Sequence, residues 1–187
     1  MTRMALVLPA TLLPLLAWFA VDAAAQQKAM SDEELIANAT AAAPEAVAQN
    51  ATVMAMYADG KMRTLRQGTN NFTCMPDNPK SPGDDPMCLD QNGMEWAHAW
   101  MTNTAPPAGK VGFGYMLQGG SDASNEDPHA TGPAAGEEWV DTGPHVMLFN
   151  VGAMAQGYPS QKDNPDTSQP YVMWPGTPYA HLMVPVQ

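Results

Sequence analysis

Two segments near the end of the chain repeat the order histidine, any residue, methionine. They are His145-Val146-Met147 and His181-Leu182-Met183. Because successive side chains of a β-strand point to opposite faces, each segment would present its imidazole and its thioether on one face. Soft thioether sulfur favours Cu(I), and imidazole binds both oxidation states of copper. If the two strands are neighbours, the pattern predicts a copper-type site built from His145, Met147, His181 and Met183.

The same four residues have a second interpretation, which is ordinary packing. Methionine commonly fills gaps in protein cores, and a histidine on a strand is usually a hydrogen-bonded core or surface residue. The chain contains 15 methionines, and Met54 and Met56 also share one face of a predicted strand. The pattern therefore leaves open whether these residues bind a metal or line a layer of the core.

The first 25 residues have the layout of a secretory signal peptide. Arg3 is followed by an apolar run over residues 5–21 and then by three alanines at 23–25, where cleavage is expected. Residues 26–187 would then form a single globular domain, periplasmic or secreted, with no membrane span.

Net charge narrows the choice of partners. The chain has 19 acidic and 8 basic residues, a formal net charge of −11 at pH 7. Such a surface repels phosphate backbones and anionic lipid headgroups, so we expect no nucleic-acid binding and no peripheral membrane binding. A small ligand or a metal ion remains as the expected partner. The negative charge has a second explanation that involves no partner: it would keep an exported protein from aggregating.

Cys74 and Cys88 are the only cysteines of the chain. An even pair in an exported protein predicts a disulfide. The segment between them is rich in proline and in turn-forming polar residues, which predicts an irregular loop. Closing a loop of about 15 residues stabilises a fold by about 3 kcal/mol in the chain-entropy model. The alternatives are a reactive thiol or a thiolate metal pair, and neither is supported by a CxxC spacing.

The remaining patterns predict an α+β fold, with an antiparallel sheet, one or two helices packed on a face and long loops rich in proline and glycine. A capping box at Ser31 begins one helix, and residues 92–101 predict another. The first three predicted strands form a small antiparallel meander with a turn at Asp59-Gly60. The predicted strands cover residues 52–57, 61–66, 72–74, 111–117, 145–149 and 179–184.

Glycines leave one face of the strand over 111–117 nearly bare. Gly112 and Gly114 lie on that face, which predicts a helix or an aromatic ring packed against it. The segment 119–136 is rich in glycine, serine and acidic residues and is too long for an ordinary connection, so we expect a mobile or functional loop.

Two further classes of function stay open. A small extracytoplasmic enzyme of the hydrolase type would need His98, His145 or His181 as its general base, in a cleft that contains at least two of them. The chain lacks GxSxG, HExxH and phosphate-loop motifs, and the pair Glu95 and His98 occurs once, whereas di-iron bundles need it twice. A structural, envelope-associated protein would be favoured if the bare glycine face and the tryptophans formed an exposed apolar patch.

Two resemblances add to these patterns. His181-Leu182-Met183 resembles the closing His-x-Met of periplasmic copper chaperones, a likeness that covers the last third of the chain and implies a Met/His copper site there. The upstream methionine of that family falls on Pro159 here. The residues nearest to that methionine and to the earlier His-Met pair of the family are Met154, His145 and Met147. The strings PYVMWPGTPYAHLMVPV and TGPHVML resemble a family of small exported bacterial proteins of unassigned activity. That likeness implies an exported single domain and implies no activity.

Overall fold

A computed structural model describes residues 30–56 and 60–186 of the chain. The predicted signal peptide, residues 1–25, and Asp59 of the predicted turn lie outside the described residues. The helices are α1 (Asp32–Ala41), α2 (Glu45–Ala48) and α3 (Gln91–Met101), with a 3-10 helix at Gly152–Ala155. The strands are β1 (Thr52–Met56), β2 (Met62–Arg66), β3 (Phe72–Met75), β4 (Met87–Asp90), β5 (Gly112–Met116), β6 (Gly120–Asp122), β7 (Val140–Thr142), β8 (His145–Phe149), β9 (Tyr171–Met173) and β10 (His181–Pro185).

The predicted α+β class is confirmed, and most of the strands form one sheet. Eight strands pair in the order β2-β1-β3-β4-β5-β8-β10-β9, mostly antiparallel, while β6 and β7 form a separate two-stranded ribbon. Helix α1 contacts β1 to β4, and α3 contacts β3 to β5. Cys88 packs in the core beneath α1, and the adjacent Leu89 packs in the core beneath α3. Because neighbouring strand residues face opposite ways, the two helices cover opposite faces of the sheet.

The face beneath α1 is built from small side chains. The predicted capping box begins this helix: Ser31 N–H donates to Glu34 Oε2 at 2.7 Å, and Glu34 N–H donates to Ser31 Oγ at 3.2 Å. The predicted disulfide is confirmed, and it joins Cys74 of β3 to Cys88 of β4, which face each other in the register. We call this core the alanine-disulfide layer. Its buried members are Ala39, Ala42, Ala43, Ala48, Ala51, Val53, Cys74 and Cys88, with Ile36, Val47, Leu65, Phe72 and Tyr115 packed against them.

The opposite face, beneath α3, holds large side chains. Trp96 of α3 stacks on Phe149 with ring centroids 4.4 Å apart and lies parallel to Trp174 at 6.1 Å. We call this core the methionine-aromatic layer. Its buried members are Leu89, Trp96, Ala97, Met116, Met147, Phe149, Tyr171, Met173, Trp174, Tyr179 and Met183, with Met75, Met87, Met94, Trp100 and Val140 packed against them.

The glycine face of β5 is covered as predicted. A Cβ atom on Gly112 would lie 2.5 Å from the backbone nitrogen of Gly93 in α3, so the helix approaches the strand at a distance that only glycine permits. Asp90 caps the same helix, because its carboxylate accepts Gly93 N–H at 2.7 Å and Phe113 N–H at 3.0 Å. This face is therefore buried, and it is not the exposed apolar patch that would favour a structural, envelope-associated protein.

The predicted antiparallel meander is wrong in its third strand. β1 and β2 pair antiparallel as expected, but β3 pairs parallel to β1 on its other side. The connection from β2 to β3 crosses the start of β1 and is hydrogen-bonded to it. Gly68 N–H donates to Thr52 Oγ1. The backbone N–H groups of Thr69 and Asn70 both donate to Asn50 O. A Cβ atom on Gly68 would lie 2.2 Å from the Thr52 nitrogen, so the crossing requires glycine. The segment Gly68–Asn71 is a crossover and not a hairpin turn.

The segment 119–136 is held to the rest of the fold by side-chain donors. Trp100 Nε1–H donates to Pro128 O at 2.7 Å, and Trp174 Nε1–H donates to Ser124 O at 2.9 Å. The buried Asn125 amide donates to Gln161 O at 2.6 Å. The segment therefore closes one side of the methionine-aromatic layer.

Candidate metal centre

The two His-x-Met segments are neighbouring antiparallel strands. Met147 of β8 lies directly opposite Met183 of β10, while His181 lies opposite Phe149 and His145 opposite Pro185. Directly opposite side chains share a face with Cβ atoms about 5 Å apart. The register therefore brings the two thioethers together.

The same register holds the two imidazoles at opposite ends of the strand pair. His145 and the residue opposite His181 are four positions apart on β8, which corresponds to about 13 Å of backbone. The rings are nevertheless close enough that the charge of His145 contributes to the lowered pKa of His181. The methionine pair lies midway between the two histidine positions.

His145 is enclosed and has one ring nitrogen without a partner. Its side chain is 1% exposed, and its Nδ1 lies 2.7 Å from the carbonyl oxygen of Gly143. Because a carbonyl oxygen can only accept, Nδ1 carries the proton in this hydrogen bond, and the lone pair of a neutral ring is on Nε2. Nε2 is buried without a hydrogen-bond partner. Burial lowers the pKa of His145, which keeps the ring neutral at pH 7.

His181 has a different environment, made of aromatic rings. The centroids of Trp96 and Trp174 each lie 5.1 Å from the His181 ring in edge-to-face geometry, and Phe149 lies at 5.3 Å. Nδ1 lies 3.0 Å from Tyr179 O. Burial lowers the pKa of His181 to about 4, so this ring is also neutral at pH 7. His181 is thus a member of the aromatic cluster that α3 builds on the sheet.

His98, the third candidate base, lies apart from the other two. It is exposed on α3 and lines an open cavity of about 430 Å³ together with Glu95, Met94 and Thr104. The Glu95 carboxylate is paired with Lys110 Nζ at 2.5 Å, which lowers its pKa. His145 and His181 are buried in the methionine-aromatic layer, so the three histidines share no cleft. A catalytic role at this cavity would have to rest on His98 without them.

A pair of carboxyl groups beside this layer was missed by the sequence analysis. Asp85 is 7% exposed; its Oδ1 accepts Ser121 N–H at 2.8 Å, and its Oδ2 accepts the Ser81 hydroxyl. Burial, reinforced by the charge of Asp85, raises the pKa of Asp122 to about 7. Burial also raises the pKa of Asp85. The two residues come from distant segments, so no local spacing in the sequence indicates that they meet.

Within residues 30–56 and 60–186, no group of three or more His, Cys, Asp or Glu side chains is arranged to hold a metal ion. The same ranges contain no helix with the length and apolar character needed to cross a membrane. Both cysteines are in the disulfide. Comparison of the chain with protein-family models, with curated proteins and with solved structures finds no match.

Proposed function

We propose that this protein is an exported binding protein that holds one Cu(I) ion on the face shared by β8 and β10. One observation supports this function most strongly. Met147 and Met183 lie directly opposite each other, two positions along the strand pair from His145, whose buried Nε2 has no hydrogen-bond partner. Leaving a buried polar group unpaired costs about 1–3 kcal/mol, a cost that a bond from Nε2 to a metal ion would offset. Nε2 is one of four such side-chain atoms in the described residues, with Arg66 Nε, Trp96 Nε1 and Asn125 Oδ1, and it is the one with a lone pair suited to Cu(I).

The charge of the donor set suits a monovalent soft ion. Two thioethers and a neutral imidazole carry no charge, and soft sulfur ligands select Cu(I) over harder cations. Because burial keeps the His145 ring neutral, its lone pair is available without the release of a proton. The hydrogen bond from Nδ1 to Gly143 O orients the ring in the way that protein carbonyls commonly orient metal-binding histidines.

The packing around the site is compatible with an ion. Met147 is 5% exposed and Met183 is 1% exposed, so the ion would be shielded from water. Methionine has three rotatable side-chain bonds, and its thioether can turn toward an ion while the strands stay paired. The site therefore needs side-chain rotation and no opening of the sheet.

Export is part of the proposal. It rests on the expected signal peptide at residues 1–25, and the disulfide supports it because such bonds persist in oxidising compartments. An exported protein that binds Cu(I) through thioethers would keep the ion bound without free thiols.

The test is a competition for Cu(I) against a chromogenic chelator, under anaerobic conditions that leave the disulfide intact. We expect one Cu(I) per chain and a loss of affinity of about tenfold or more for Met183→Leu, since the removal of supporting residues at metal sites has effects of this size. Met101→Leu is the matched control, because Met101 is 49% exposed on α3. Failure to take Cu(I) from the chelator, or an equal loss in both variants, would overturn the proposal.

A further inference from the structure

A row of methionines crosses the sheet and ends at His145. Met75 of β3 lies opposite Met87 of β4, and the register of β4 with β5, continued by one residue, sets Met87 beside Met116. Met116 lies directly opposite His145. Directly paired residues share a face, so the four side chains all lie in or against the methionine-aromatic layer. We call Met75, Met87 and Met116 the methionine row.

We infer that Met116 and His145 form the centre of the metal site, with the Met147–Met183 pair completing it, and that His181 is not a ligand. This inference rests on the proposed function, because it assigns the ligands of the same ion. It differs from the resemblance to copper chaperones, which would place the closing His181-Leu182-Met183 at the ion.

The surroundings of the two histidines favour His145. Trp96, Phe149 and Trp174 all have ring centroids within 5.3 Å of the His181 ring, so an ion at that ring would have to displace aromatic packing. Both histidines lie directly opposite a methionine, Met116 for His145 and Met173 for His181, but His145 alone of the two has a buried ring nitrogen, Nε2, without a partner. An ion there would satisfy an unpaired lone pair without removing an aromatic contact.

The Met116 side chain ends beside Gly120 and the carboxyl group of Asp85. A Cβ atom on Gly120 would lie 2.6 Å from the Met116 methyl carbon and 3.4 Å from Asp85 Oδ1. The thioether of Met116 and the carboxyl of Asp85 therefore meet over the backbone of Gly120. A carboxyl group at this position favours the approach of a cation.

The methionine row also connects the site to the surface. Met75 and Met87 are partly exposed, whereas Met116 is 7% exposed and His145 is 1% exposed. Thioethers at successive strands offer a soft ion a series of weak ligands from the half-buried end of the row to the buried imidazole.

The ligands can be identified by titrating the protein with Ag(I), a probe that shares the ligand preferences of Cu(I) and undergoes no redox change. The readouts are the imidazole nitrogen resonances and the methionine methyl resonances. We expect stoichiometric shifts of His145 Nε2 and of the Met116 methyl, with the His181 nitrogens and the Met173 methyl unchanged. A shift of His181 Nε2 with His145 unmoved would overturn the inference and leave the proposed function standing. No shift of any histidine or methionine would overturn the proposed function itself.

A pair of variants provides an independent measurement. Met116→Leu nearly conserves side-chain volume and removes the sulfur, so the affinity for Cu(I) should fall by about tenfold or more. Met173→Leu is the matched control, because Met173 is equally buried in the same layer and lies opposite His181. Equal affinities for the two variants would remove Met116 from the site. If Met183→Leu still lowers the affinity in that case, the proposed function survives without this inference.

Discussion

The two faces of the sheet have cores of different composition, with small buried side chains on one face and large ones on the other. The alanine-disulfide layer uses small residues that bring α1 close to the strands, and its two cysteines are joined covalently. The methionine-aromatic layer fills a wider space with indole rings and flexible thioethers. Small side chains leave no freedom to adjust, whereas methionine rotates at little cost. We therefore expect the alanine-disulfide layer to tolerate less change in side-chain volume than the methionine-aromatic layer.

The largest effect on stability is expected from Trp96, whose indole ring packs against several members of the methionine-aromatic layer. Trp96 is 5% exposed and contacts Phe149, Trp174 and His181. Trp96→Ala should lower the free energy of unfolding by about 3–5 kcal/mol, as cavities of this size do. Urea denaturation followed by circular dichroism would measure it.

Met101→Ala is the control for Trp96→Ala, since Met101 is exposed on the same helix and its loss should change stability by no more than about 0.5 kcal/mol. A cost below about 1 kcal/mol for Trp96→Ala would show that the layer does not depend on this ring.

The next largest effect is the dependence of the free energy of unfolding on pH, which we expect from the methionine-aromatic layer and not from the alanine-disulfide layer. An unfolded histidine binds a proton near pH 6.5, whereas His181 in the fold does so only near pH 4. Its contribution to stability is therefore present above pH 6.5 and is lost as the pH falls toward 4, by up to about 3 kcal/mol at 1.4 kcal/mol per pKa unit. The alanine-disulfide layer contains no residue that titrates in this range.

The measurement is the free energy of unfolding between pH 7 and pH 4 for the protein and for His181→Gln. The variant lacks the loss that His181 contributes, so its free energy of unfolding should fall less, or rise more, than that of the unmodified protein as the pH falls. Asp122 acts in the opposite direction: its folded pKa is raised to about 7, so its contribution is present below pH 3.8 and is lost as the pH rises through 7. Over this pH range its gain on acidification is similar in size to the loss from His181, so the two contributions largely cancel in the unmodified protein, and Asp122→Asn should uncover the loss. Identical pH profiles for all three proteins would contradict both assignments.

The smallest effect on stability comes from comparing how well each layer accepts a leucine side chain. Ala39 and Met173 are both buried, and each can be replaced by leucine. Ala39→Leu overfills a position where the Cys88 sulfur already lies 3.6 Å from Ala39 O, so we expect a loss of about 1–3 kcal/mol. Met173→Leu nearly conserves volume and should cost less than about 1.5 kcal/mol. Chemical denaturation of both variants measures the difference, and an Ala39→Leu cost no larger than that of Met173→Leu would show that the two layers are equally adaptable.

Local patterns predicted the elements that carry the candidate site. The alternation of side chains in 145–149 matches β8, and the capping box at Ser31 begins α1 as expected. The bare glycine face of β5 correctly predicted a covering element, and the paired cysteines correctly predicted the disulfide. The strand, the helix cap and the glycine face each depend on residues that are close in sequence. The disulfide prediction depends on the oxidising compartment expected for an exported protein.

The errors and omissions involve contacts between distant segments. The parallel placement of β3 depends on a crossover that hydrogen-bonds to the start of β1, and nothing within 68–71 distinguishes it from a hairpin turn. The meeting of Asp85 with Asp122, and of Met116 with His145, depends on which strands become neighbours. Side-chain alternation is the same for every partner strand, so it does not identify which strands become neighbours.

The order of residues alone determined which side chains share a face, where six of the ten described strands lie and which two sulfurs would be joined. These features follow from backbone periodicity and from the scarcity of cysteine, whereas β4, β6, β7 and β9 were not predicted. Tertiary structure alone decided that β8 lies between β5 and β10. That placement sets Met147 against Met183 and Met116 against His145, and it encloses His181 in aromatic rings. The physical reason is that burial and strand pairing are properties of the whole sheet, and they give two identical His-x-Met segments different environments.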